Sequence, residues 1–480
     1  MEVATDRLQP SAAHSLVPVS WTPEEGVELP KRIIVAANRL PVAGVDDGWQ
    51  ISPGGLVSAL VPILQEQHGA WVGWTGIPDY APDAFVHEGI ENRPVPLSAT
   101  ELDGYYYGFC SGTLWPLYHD ALRVPEFHRH WWRTYRDVNR RFAEETAAAL
   151  QPGDVAWIQD YQLQLVPAML REMRDDVTIG FYLHIPFPPV ELFARLPWRR
   201  EILDGLLGAD VIAFQTPLGR HNFARCAKRF AGAEGATRQL RVGKRTVRLK
   251  TAPISIDTSR FIEAAKSPVV QDVAARLREE LGTERTVVLG VDRLDYTKGI
   301  DVRLRAFETL LQAHSADEFV FVQIAVPSRE EVGDYASMRA QIEQMVGRIN
   351  GDHGRPGHVP VHYLYRSLPF EDLVAYYTVA DVMTVTPLRD GLNLVAKEYA
   401  ASRVNGNGVL VLSEFTGAAQ ELVSAVLVNP FDLDGVAAAL EQAVAMPEQE
   451  QRQRMERMRR QVMNHDVFDW AQKCLTDLGA

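Results

Sequence analysis

Cysteine is scarce in this chain. There are three in 480 residues, Cys110, Cys226 and Cys474, widely separated. That spacing fits neither a disulfide framework nor a metal site, so no metal is expected and a reducing cytoplasm is the expected setting. Positive charge is also in deficit: 49 Lys and Arg against 62 Asp and Glu give a net charge of −13. An acidic surface of this kind suits neither nucleic acid nor an anionic membrane as partner. No apolar run is long enough to span a bilayer. The N-terminus has no basic segment leading into an apolar core, so no secretory signal is expected. The motifs GxGxxG, GxxxxGK[ST], HExxH and GxSxG are missing, as is a Cys-His-Asp order. Dehydrogenase, P-loop and hydrolase readings lose ground accordingly.

What is present is an ordinary globular composition, 46% hydrophobic and 23% charged, in a length that suits two or three domains. Residues 1–30 have scattered Pro and Ser and no periodicity, and read as a loose tail. From Arg32 onward, short apolar runs alternate with helical stretches. A first series has strands near 32–37, 71–74, 155–158, 178–183 and 211–214 and closes at Pro253–Asp257. A second has strands near 286–291, 319–325, 361–365, 382–385, 408–412 and 425–428. Alternation of this kind implies α/β architecture with parallel sheets and right-handed crossovers. The expected division is 31–257, 258–464 and a final amphipathic helix, 465–480, with Val467, Trp470, Ala471 and Leu475 on one face. Gln239–Lys250 alternates with its positive charges outward and reads as an exposed hairpin with a solvated face.

In open α/β sheets the chemistry gathers beyond the carboxyl ends of strands. Asp381–Glu398, DVMTVTPLRDGLNLVAKE, is a buried strand, a tight turn and a helix start. Asp390 or Gly391 is the expected cap, with free amides over 391–394 attractive to phosphate. Glu398, two turns on and on roughly the Asp390 face, could hold ribose hydroxyls. Read blandly, Asp390 is only a cap and Glu398 a solvated helix residue. Arg39, Asp160, His184, Arg293, Lys298 and Arg329 also fall at strand ends. Two cations in one loop, Arg293 and Lys298, suit a diphosphate leaving group. Arg39 and Arg329, from different halves, could clamp a second phosphate. Singly, each arginine is more often a surface ion-pair residue; their shared position shifts the balance. Gly54-Gly55 allows close backbone approach at a helix start or marks a simple turn. Dense aromatics such as Tyr105–Tyr107 are more often core than site.

These residues lie in longer segments that resemble the trehalose-phosphate synthases, the retaining glucosyltransferases of family 20. The segments are ANRLPV (37–42), SPGGL (52–56), WVGWTG (71–76), GTLWPLYHD (112–120), QDYQLQLVP (159–167), HIPFPP (184–189), VDRLDYTKGI (291–300), PSR (327–329), VGRINGDHG (346–354), TPLRDGLNLVAKEY (386–399) and LSEFTGAAQEL (412–422). They occur in order across 32–470, and the likeness is greatest to the actinobacterial branch. The resemblance implies a glycosyltransferase type B fold, two Rossmann-like domains facing each other across a cleft, with the last helix crossing back. It implies transfer of glucose from UDP-, GDP- or ADP-glucose to glucose 6-phosphate, with retention and no cofactor. Asp160, His184, Arg293, Lys298 and Asp390 are the implied catalytic set. The donor would meet Gly55, His184, Arg293, Lys298, Asp390, Gly391, Leu392, Asn393, Leu394, Val395 and Glu398. The acceptor would meet Arg39, Trp71 or Trp74, Tyr106, Trp115, Asp160 and Arg329. A homo-oligomer, dimer or tetramer, is the expected assembly. QDYQL and GLN stand where many members have HDYHL and GMN. Two rivals share the fold: a pseudo-glycosyltransferase joining cyclitols, and a catalytically silent regulatory subunit.

Overall fold

The computed structural model describes residues 32–479 apart from 46–47, 53–54 and 330–332. The 1–30 tail and the Pro53-Gly54 pair lie outside the described residues; Gly55 is the first residue of the helix Gly55–Glu66.

Two sheets organise the chain. The first has ten strands. Its central strand, Ile33–Arg39, is an apolar run buried on both faces until its last two residues, as a strand covered by helices requires. It pairs in parallel with Ala70–Trp74 on one side and Val155–Gln159 on the other. Beyond the latter come Thr178–Leu183, Val211–Phe214 and Arg245–Thr251, also parallel. Antiparallel pieces finish both edges, Phe85–His87 at one and Glu234–Val242 at the other. The second sheet has six strands. Its first strand, Thr286–Arg293, lies between Phe319–Val326 and Val382–Val385. Among the described residues no helix is long and apolar enough to cross a membrane.

Among the parallel strands, chain order reverses once in each sheet. In the first, the chain leaves Ile33–Arg39 towards one edge and returns to its other side at Val155–Gln159. In the second, it returns beside Thr286–Arg293 at Val382–Val385. Two strands diverging from such a point leave a crevice beyond their carboxyl ends. Arg39 and Asp160 flank the first crevice; Arg293 and Asp390 flank the second.

The last helix, Val467–Gly479, lies on the first sheet. Trp470 stacks on Trp157 at 5.5 Å, and its indole donates to the Ala252 carbonyl at 3.1 Å. Lys250 pairs with Asp477 at 2.5 Å, and Arg248 donates to the Asp477 carbonyl. Arg245 donates to the carbonyls of Leu207, Gly208 and Ala209. The hairpin forms where its alternation places it, but its positive face is not simply solvated. It anchors the C-terminal helix and the end of the helix Arg199–Leu206.

Candidate active site

At the second crevice, Asp390 accepts from Lys298 Nζ at 2.5 Å and from Asn393 Nδ2 at 3.1 Å, both on Oδ2. Burial favours the protonated form of this carboxyl, but Lys298 and Asn393 outweigh burial and hold it below the usual range. Arg303, itself fully buried, positions Lys298. Its guanidinium pairs with Asp292 at 2.7 Å and donates to the Lys298 carbonyl at 2.7 Å.

The cap lies two or three residues beyond the expected Asp390 or Gly391. The helix begins at Leu394, and its N-cap is Asn393, whose side chain accepts from the Ala396 amide. Asn393 has φ 82°, a left-handed conformation that Asn tolerates better than most residues. Asp390–Leu392 is therefore a turn ahead of the helix. The first-turn amides left without intrahelical partners are those of Leu394 and Val395. Leu392 is buried in the core, so only its backbone is available to a ligand. Because Asp390 precedes the helix, it shares no helix face with Glu398. Glu398 is not a solvated residue: it accepts from the Tyr377 hydroxyl at 2.8 Å, and burial raises its carboxyl.

At the first crevice, Asp160 has φ 69° and ψ 173°, a strained region for a residue with a side chain. Such strain concentrates at functional sites. Burial pushes its carboxyl up to about 6, although it accepts from the His184 amide at 3.1 Å and sees Arg293 and Arg329. His184 is a neutral ring. Gln215 Oε1 accepts from Tyr182 and from the Ile254 amide, so the Gln215 amide group faces His184 Nδ1. Nδ1 then accepts, and Nε2 donates to Gln159 Oε1 at 3.1 Å. Burial lowers the ring to about 3. Both ring nitrogens thus have protein partners.

A shift of register between Ala36 and Arg39 ends the central strand. The Arg39 guanidinium lies over the Trp74 ring at 4.7 Å. Trp71 does not line the crevice. It packs in the core on the sheet face opposite Trp74, and its indole supports the strand end by donating to the Arg39 carbonyl at 2.9 Å. Tyr106 is half-buried in a π-helix, Asp103–Leu114, as is Tyr107, while Tyr105 and Phe109 are core. That helix was not legible in the aromatic run.

The two crevices meet. The Arg329 guanidinium donates to Asp295 at 3.0 Å and to the Tyr335 hydroxyl at 2.6 Å within the second half. It also donates to the Tyr161 hydroxyl of the first half at 3.1 Å and lies 3.9 Å from the Trp115 ring centre. Arg293 lies over the same ring at 5.7 Å. Arg389 pairs with Asp120 at 3.3 Å. The Gly391 backbone lies against His184: a Cβ built on Gly391 would be 2.2 Å from the His184 carbonyl oxygen. His119, buried behind Trp115 and held by the Trp115 carbonyl at 2.8 Å, is lowered to about 4 by burial. Sequence reasoning missed Asp295, Tyr335, Tyr161, Asp120 and His119. Only a strand-end position, shared by Asp295 and Tyr161, could have pointed to any of them.

Lys298 is neutralised by Asp390, and Arg329 by Asp295. Arg39 and Arg293 are exposed, and among the described residues neither forms an ion pair. One exposed guanidinium outside any ion pair among the described residues therefore stands at each switch point, where anionic ligands would dock. Among the described residues no group of three or more His, Cys, Asp or Glu is placed to hold a metal ion.

The sequence profile of Glycosyltransferase family 20 matches residues 28–480. The chain belongs to that family. A trehalose-6-phosphate synthase of Mycolicibacterium smegmatis is 52% identical over 478 residues, covering 96% of this chain and 95% of the relative. The solved structure of an α,α-trehalose-phosphate synthase (UDP-forming) from Burkholderia vietnamiensis superposes with a TM-score of 0.87 at 36% identity, covering 94% of this chain and 99% of that one. A Burkholderia xenovorans enzyme of the same name, solved in complex with glucose-6-phosphate, gives 0.86 at 33% identity, covering 94% and 100%. The two sheets and their flanking helices are thus the two Rossmann-like domains of the glycosyltransferase type B fold, and the chain is a glycosyltransferase.

Proposed function

We propose that this glycosyltransferase moves glucose from an NDP-glucose to glucose 6-phosphate with retention, giving α,α-trehalose 6-phosphate and NDP. The observation that carries the reading is the pair of exposed guanidiniums outside any ion pair among the described residues, Arg39 and Arg293, one at each switch point of two facing sheets. Both substrates bring phosphate, and each would meet one of these two cations. The names of the mycobacterial and Burkholderia relatives support the same reaction.

In this reading Arg293 and Lys298 take the donor diphosphate, with the Leu394 and Val395 amides at the helix start beside it. Glu398, held by Tyr377, takes ribose hydroxyls. The Gly391 turn and His184 wall the donor glucose. Arg39 on Trp74 and Arg329 on Trp115 hold the acceptor phosphate, with Tyr106 near it, and Asp160 orients the acceptor sugar. The Lys298–Asp390 pair places an ammonium where leaving-group charge develops, which lowers the barrier without any covalent step. The acceptor attacks the face the diphosphate leaves, and a donor phosphate oxygen takes its proton.

Purified protein with glucose 6-phosphate and a panel of UDP-, ADP- and GDP-glucose should release NDP only when both substrates are present. No release with any of the three would sink the reading and leave the silent-subunit alternative. Release that requires a phosphorylated amino-cyclitol instead would favour the pseudo-glycosyltransferase.

A further inference from the structure

Three cations of the cleft, Arg293, Lys298 and Arg329, act on one fully buried carboxylate, Asp295. Its Oδ1 accepts from the Thr297 amide at 2.9 Å and the Thr297 hydroxyl at 2.8 Å. Its Oδ2 accepts from Arg329 Nη1 at 3.0 Å and the Tyr335 hydroxyl at 3.0 Å. The Tyr335 oxygen itself accepts from Arg329 Nη1, so its proton is committed to Asp295. Four donors therefore converge on the carboxylate, and only an anion satisfies them all. Burial pushes this carboxyl up, but Arg329, Arg293, the Thr297 amide and Lys298 overcome that and hold it at about 2.

Arg329 is bound just as firmly. Its backbone has φ 49° and its side chain is 3% exposed. Nη1 serves Asp295 and Tyr335, Nη2 serves Tyr161, and the flat face covers Trp115. The Nε–H is buried and, among the described residues, has no partner. A buried donor left unpaired in a native fold calls for an acceptor, and a phosphate oxygen is one.

We infer that Asp295 is the positioning residue of the acceptor-phosphate site: through Nη1 it fixes the Arg329 guanidinium plane and leaves the Nε edge for the phosphate. This rests on the proposal that Arg329 holds that phosphate. Asp295 also compensates a buried guanidinium that would otherwise be costly while no acceptor is bound. The guanidinium plane is thus held in place before the acceptor arrives.

The test compares glucose 6-phosphate with unphosphorylated glucose as acceptor. Asp295→Asn turns an NH2 group towards either the Thr297 amide or the Arg329 guanidinium, both of which only donate. It should raise KM for glucose 6-phosphate roughly 10- to 100-fold, leave KM for the donor within about threefold, and hardly change the slow rate with glucose. Tyr335→Phe keeps the charge and removes one hydroxyl of the bracket. It should shift KM in the same direction by less, and it decides alone if Asp295→Asn does not fold. Equal losses with both acceptors, or an unchanged KM for glucose 6-phosphate, would overturn the inference. Arg329→Gln separates the layers. If it leaves the preference for the phosphorylated acceptor intact, the underlying proposal fails and takes the inference with it. If it abolishes the preference while Asp295→Asn and Tyr335→Phe do not, only the inference falls.

Discussion

Gly391→Ala should cripple turnover by displacing the donor loop. The Gly391 backbone lies between two other backbones. Its would-be Cβ is 2.2 Å from the His184 carbonyl oxygen and 3.1 Å from Ile185 Cα, and a Cβ on Gly417 would be 2.2 Å from the Gly391 carbonyl oxygen. Contacts under 3.0 Å are essentially never seen for a real Cβ, and neither neighbour is a flexible side chain that could turn away. Restoring a close carbon–oxygen contact of roughly 3.3 Å requires the turn and the His184 segment to part by about 1 Å. Asp390 lies next to the inserted methyl, so the Lys298–Asp390 pair moves with it. A displacement of about 1 Å at a positioned site can cost ~100-fold in rate, while the overpacking itself costs about 1–3 kcal/mol of stability. The assay is kcat and KM for both substrates by NDP release, with Tm alongside. Gly417→Ala, pressing on the same turn from the other side, should behave alike. Gly351→Ala has nothing within 4 Å of its Cβ and should be silent. A Gly391→Ala enzyme with unchanged kcat and KM would refute the reasoning.

Lys298→Ala should lower kcat by ~2–4 kcal/mol of transition-state stabilisation with a smaller effect on acceptor KM; near-normal turnover at saturation would show that Lys298 does not serve the leaving group. Arg39→Ala should lose kcat/KM for glucose 6-phosphate by several orders of magnitude, with its trace rate on glucose unchanged; equal losses with both acceptors plus a lowered Tm would mean that Arg39 only closes its strand. Asp160→Asn should lose activity yet gain stability at neutral pH. The Asp160 carboxyl sits at about 6 in the fold against an ordinary 3.8, so the folded state binds its proton more tightly than the unfolded one. Stability therefore falls as pH rises through that window and stays low above it. The Tm gain of Asp160→Asn should appear above about pH 6 and vanish near about pH 4; a gain independent of pH would exclude this origin.

Much of the architecture could be read from local pattern. Apolar runs such as Ile33–Ala37, Val155–Ile158 and Val382–Val385 are buried strands, and the residues after them do gather at the cleft. Local pattern could not choose between Asp390 and Asn393 as the cap. Both residue types cap well, and the choice fell to the left-handed turn at Asn393, which tertiary packing of Gly391 between His184 and Gly417 imposes. Nor could it divide the four cations into compensated and free. The counter-charges come from afar: Asp295 is 34 residues from Arg329, and Asp390 is 92 from Lys298. Trp71 and Trp74 are indistinguishable in sequence. An odd separation on one strand sends their rings to opposite faces of the sheet, so only one of them can support Arg39 from the cleft side.

The most direct measurement of the central claim is the product itself. The enzyme would be incubated with NDP-[1-13C]glucose and unlabelled glucose 6-phosphate, and the labelled anomeric carbon read by NMR with its proton coupling. The account predicts a single labelled α-anomeric signal in a non-reducing 1,1-linked disaccharide phosphate, formed together with one equivalent of NDP. A β-configured labelled carbon, a reducing disaccharide, or free labelled glucose as the only product would contradict it.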